Sequence, residues 1–177
     1  MDTTMERFAP LQKALFEDMT ELLQKISDDP DNFGFALAVP TDYGAACILY
    51  AIGKNSALGP HGKHSEGFIF TPVQWVQDWT GMPRVNDALE EIVERFRETY
   101  SAMEDGDEKN RMHDEFISEC AYSCLGVLEE CNRNGSFGNI WLKVLDMSDD
   151  EHPAVAESFR RLNSEKVQER GAAFFDY

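Results

Sequence analysis

Long apolar runs are absent from this sequence. No stretch approaches the ~20 residues that a bilayer-spanning helix needs, so no membrane span is expected. The opening residues Met1-Asp2-Thr3-Thr4-Met5-Glu6 are acidic and lead into no apolar segment, so no signal peptide is expected either. Basic residues are scarce, with 16 Lys and Arg against 33 Asp and Glu, a formal net charge of −17 on 177 residues. A surface of that sign disfavours nucleic acid and anionic membrane, and it draws basic partners through a long-range field. Cysteine is limited to Cys47, Cys120, Cys124 and Cys131. The last three recur at four- and seven-residue intervals, along one stripe of a helix, which reads as buried free thiols in a reducing, cytoplasmic compartment. Internal repeats and low-complexity tracts are missing as well.

What is present suffices for a core. The apolar share of 42% and aromatic share of 11% are ordinary for a globular chain, so the charge should coat a folded domain. It does so unevenly: residues 1–85 carry 11 acids and 6 bases, and residues 86–177 carry 22 acids and 10 bases. The second half therefore holds most of the field.

Apolar spacing predicts the elements. Phe8, Leu11, Leu15, Met19, Leu22 and Ile26 mark a first helix, entered near Pro10 and ended by Ser27-Asp28-Asp29-Pro30-Asp31. Phe33 to Val39 and Ala46 to Ile52 read as two strands of a hairpin around Pro40-Thr41-Asp42-Tyr43-Gly44. Residues 53–70 read as a long loop, and Thr71-Pro72 as the start of a short helix with Trp75 and Trp79 on its inner face. A long helix follows, apolar at Val85, Leu89, Ile92, Val93, Phe96, Tyr100 and Met103. Asp87, Glu91, Glu94 and Glu98 form an acidic stripe on it, softened by a Glu91–Arg95 pair. A second long helix buries Met112, Phe116, Cys120, Cys124, Leu128 and Cys131 and closes at Asn132-Arg133-Asn134-Gly135. Ile140 to Leu145 is a third strand, apolar enough for a central, covered position. Helices at Pro153–Leu162 and after Ser164, anchored by Val167, Phe174 and Phe175, complete the chain. Segregated elements favour one α+β domain spanning residues 1–177, a small mostly antiparallel sheet of about three strands covered by about six helices.

Reaction signatures are missing. Gly62-Lys63 lacks the glycine and hydroxyl of a phosphate loop, since Ala57 and His64 occupy those positions. His61 and His64 could hold a metal but have no third donor nearby except Glu66. His113-Asp114-Glu115 read as the start of a helix, where consecutive residues point about 100° apart and first-turn carboxylates complement the dipole. Asp146, Asp149, Asp150 and Glu151 follow a strand, yet without the central glycine of a calcium loop. The helix cysteines lie on an apolar face, where desolvation raises a thiol pKa, and no Gly-x-Ser-x-Gly elbow exists. No metal, cofactor or catalytic residue is expected. Trp75 and Trp79, bordering the 53–70 loop with His61 and His64, remain a candidate pocket.

Several short motifs occur in a recognisable order: Phe33-Gly34-Phe35-Ala36-Leu37 with Thr41-Asp42, Thr71-Pro72-x-x-Trp75, Val85-Asn86, Asn134-Gly135-Ser136-Phe137-Gly138, the acids of 146–151, and Leu162-Asn163. In this the chain resembles the bacterial family catalogued as domain of unknown function 4303. The resemblance covers nearly the whole chain. It implies a single α+β domain in a bacterial cytosol and supplies no catalytic residue. By analogy with families of this size and style, it suggests an immunity-type inhibitor of a basic toxin. Two functions are thus expected from the sequence. One is a non-enzymatic binding protein that receives a basic partner through Asp87, Glu91, Glu94, Glu98, Asp149, Asp150 and Glu151. The alternative is a small-molecule-binding domain or enzyme using the 53–70 loop and the Trp75/Trp79 region.

Overall fold

The computed structural model describes residues 6–41, 47–58, 66–78, 82–147 and 152–175. Helix α1 (Ala9–Ile26) takes Pro10 in its first turn, where a missing N–H costs nothing, and buries Leu11, Leu15, Met19 and Leu22. Strands β1 (Asn32–Ala38) and β2 (Leu49–Lys54) follow, then a 3-10 turn at Asn55–Leu58 and the single turn α2 (Glu66–Ile69). Of the 53–70 segment expected as a loop, Gly53 and Lys54 belong to β2, and residues 55–58 and 66–69 form the two helical turns. Thr71-Pro72 opens only a 3-10 turn, Pro72–Gln74, before strand β3 (Val76–Asp78). The helix expected at Trp75 is therefore a turn and a strand, and Trp79 lies outside the described residues. Helices α3 (Pro83–Ser101) and α4 (Asp107–Arg133), strand β4 (Leu142–Asp146), and helices α5 (Pro153–Leu162) and α6 (Glu165–Phe175) complete the order.

The fold is α+β. Its sheet runs β3-β2-β1-β4, antiparallel between β3 and β2 and between β2 and β1, but parallel between β1 and β4. It is therefore mixed rather than mostly antiparallel. The reason is the connection: α3 and α4 carry the chain across, so β4 re-enters beside β1 in the same direction. Among the described residues strand β4 is also an edge, not the central strand its apolar content suggests. Side chains of the helix region that follows close that edge. Asn163 Oδ1 accepts from Lys143 N at 2.8 Å while its Nδ2 donates to Lys143 O at 2.6 Å, and Ser158 Oγ accepts from Leu145 N at 2.8 Å. The pairing a neighbouring strand would supply comes from helix side chains, so the edge is dry without being central.

Close packing on the sheet depends on two glycines. The β1–β2 register slips between Asn32 and Gly34, then sets Gly34 opposite Gly53. A Cβ on Gly34 would sit 2.5 Å from the Trp75 ring, and one on Gly53 would sit 2.7 Å from the Phe33 ring. The glycines let both rings lie on the backbone. On the helical side, Phe116 of α4 meets Phe8 at 5.3 Å and Phe96 of α3 at 4.1 Å between ring centroids. Asp18 of α1, buried at 2% exposure, accepts from Val85 N at 3.0 Å and from Arg84 Nη1 at 2.7 Å. A buried carboxylate thus satisfies an orphan donor in the first turn of α3 and fixes α3 against α1. Helix α4 ends where the sequence places its stop, with Gly135 at φ 71° and Ser136 N donating to Cys131 O at 3.0 Å.

Candidate functional site

Helix α3 sorts its side chains cleanly. Val85, Leu89, Ile92, Val93 and Phe96 are buried, and Asp87, Glu91, Glu94 and Glu98 are all exposed. Spacings of four, three and four residues place the four carboxylates along one stripe. Among the described residues none of them enters an ion pair, and the expected Glu91–Arg95 pair does not form. Like charges at these spacings each cost a helix about 0.2–0.5 kcal/mol.

Several carboxylates elsewhere are engaged. Arg84 holds Glu21 at 2.6 Å as well as Asp18, and its hydrogen bond keeps the Glu21 carboxyl below its ordinary pKa. Arg7 pairs with Glu119. Arg161 grips Glu129 with two bonds of 2.7 and 2.8 Å and reaches Glu157 at 3.3 Å. Glu157 in turn accepts from the Tyr122 hydroxyl at 3.0 Å; burial first, and that bond second, push the Tyr122 pKa up. These pairs join elements of the fold. The α3 stripe joins nothing, and four such carboxylates in one row set it apart from single unpaired acids such as Glu17 and Glu130.

The other sequence candidates fare differently. Asp149, Asp150, Glu151, His61, His64 and Trp79 lie outside the described residues. Trp75 is described and is not a platform: it is 5% exposed, edge-on to Phe33 at 5.5 Å, and its Nε1 donates to Phe68 O at 3.1 Å. The ring is core, because the two facing glycines let it sink against the sheet. His113 lies inside α4 with Nδ1 3.3 Å from Asp114, not at the helix start. Among the described residues no group of three potential metal donors converges. Cys120, Cys124 and Cys131 are buried free thiols as the stripe predicts, and Cys47 is half-buried.

One feature escaped sequence reasoning. An open groove of about 520 Å³ runs between α1 and α4, lined among others by Ala9, Lys13, Phe16, Glu17, Gly126 and Glu130. The available signal was Gly126, a glycine inside an otherwise strong helical pattern. It is exposed, and a Cβ there would meet nothing within 4 Å.

The architecture defines an α+β protein with a mixed sheet, four-stranded among the described residues. No family model, curated protein or solved structure matches the chain. No helix among the described residues is long and apolar enough to cross a membrane.

Proposed function

We propose that this chain is a non-enzymatic binding protein that receives a basic protein on the acidic face of α3. One observation carries the reading: four consecutive stripe positions bear exposed carboxylates that serve no contact within the fold. Their mutual repulsion is relieved when a cationic surface docks, and a net charge of −17 steers such a surface from a distance. The motif order described above supports placing the protein in the bacterial cytoplasm as an immunity-type inhibitor of a basic toxin. Inhibition of that kind is steric and needs no catalytic group. The small-molecule alternative loses Trp75, whose ring is packed in the core, while its other candidates, His61, His64 and Trp79, lie outside the described residues.

The test is to capture the partner at low salt from the source cell, identify it, and follow association with purified components. Replacing Glu91, Glu94 and Glu98 with lysine should slow association about tenfold or more at low salt and leave dissociation nearly unchanged. The difference should shrink as the Debye length falls to about 8 Å at physiological ionic strength. A rate unchanged at every salt concentration removes α3 from the interface.

A further inference from the structure

We infer that the groove between α1 and α4 is the anchoring site for one amphipathic helix of the basic partner, an inference that rests on the function just proposed. Charged rims set association rates, whereas complexes are held by buried apolar anchors. The α3 stripe offers only charge, so an anchor has to lie elsewhere, and this groove supplies one. Phe16 is half-buried in one wall and Val127 is buried in the other. Between them Gly126 leaves the α4 backbone bare.

Gly126 has no explanation inside the fold. It lies within a 27-residue helix, where glycine weakens the helix relative to alanine. No neighbour crowds it, and its φ is not in the left-handed region. What a bare backbone permits is close approach from outside. Phe16 is the one large apolar side chain of its lining that is not fully buried, too little to enclose a small molecule as binding clefts do. A second copy of the chain is opposed by a charge of −17 on each. A basic helix fits better than an acidic one: Glu17 on the α1 wall and Glu130 on the α4 wall are exposed and form no ion pair among the described residues, and they outnumber Lys13, the one cation of the lining. They stand beside Phe16 and the bare backbone of Gly126, as lysines flank the apolar stripe of an amphipathic helix.

The experiment is an amide chemical-shift titration of the full chain with three synthetic helical peptides. The first carries leucines at i, i+3, i+4 and i+7 flanked by lysines; the second keeps the leucines but has glutamine flanks; the third keeps the lysines but replaces leucine with alanine. The first peptide should shift amides of residues 9–17 and 126–130 and bind the tightest. Gly126→Trp, which fills the groove from an exposed position, should weaken it about tenfold or more. Gly126→Ala serves as the fold control and should raise the melting temperature by a few degrees. Shifts outside the groove, insensitivity to Gly126→Trp, equal binding of the alanine peptide, or no binding at all would each overturn the anchor. If the glutamine peptide binds the groove as tightly as the lysine peptide, the groove stands and the basic-partner reading beneath it fails.

Discussion

Three thiols show how burial at single residues becomes a property of the protein. Cys120, Cys124 and Cys131 are almost fully enclosed on the inner side of α4. Burial, with a smaller push from Glu130, raises the Cys131 pKa to about 11. Cys124 is raised well above its ordinary value by its hydrogen bond with Cys120 and by burial. A raised thiol pKa means that the folded state favours the neutral form. The associated stability is complete below the unfolded thiol pKa of ~8.5 and is lost as pH climbs toward the folded value. Urea denaturation should therefore show little thiol-linked change up to about pH 8 and a progressive loss between about pH 9 and pH 11. Cys131→Ala should make that alkaline loss smaller relative to its own stability at pH 7. An equal loss in both proteins would show that Cys131 ionises freely in the folded state.

At the scale of elements, β4 depends on residues that follow it. Asn163 supplies both a donor and an acceptor to Lys143, and it also donates to Phe159 O at 2.8 Å. Asn163→Leu would leave the Lys143 N–H and C=O unpaired beside the core, at a cost of about 1–3 kcal/mol. Hydrogen exchange at the Lys143 amide should accelerate by more than global destabilisation explains, while the β1–β2 amides keep their relative protection. Uniform acceleration across the sheet would show that the edge is not separately held. The same arrangement explains what the sequence could and could not disclose. Periodicity located α1, α3, α4, α5 and α6 because each buries a stripe set by local spacing. It placed the strands to within a few residues for the same reason. It misjudged β4 because apolar content reports cover, and here the cover comes from Ser158 and Asn163 rather than from another strand. It read a helix at Trp75 because a three-residue strand is fixed by its pairing with β2, not by its own composition. The α3 stripe was legible residue by residue; the α1–α4 groove was not, because it exists only where two distant helices meet.

For the whole molecule the governing quantity is unbalanced charge. A net −17 destabilises the compact state by self-repulsion, and salt relieves it. Thermal stability of the parent should rise as ionic strength goes from about 10 mM to about 150 mM, over which the Debye length falls from about 30 to about 8 Å. Within that field Glu94 occupies the worst position on α3, with Glu90 four and Glu91 three residues before it and Glu98 four after. Glu94→Lys converts three repulsive pairs into attractive ones against one new repulsion with Arg97, and should stabilise the fold by about 1 kcal/mol at low salt, with the gain fading as salt is added. Glu94→Gln, which only removes the repulsion, should give about half as much. Calorimetry of the three proteins across a salt series decides the matter. No gain from Glu94→Lys at low salt would mean that solvent already screens the stripe and that its repulsion does not weigh on the fold. If the gain is found, the protein carries a surface its own fold would be better without. The same exchange should then slow capture of the basic partner, stability and binding moving in opposite directions at one residue.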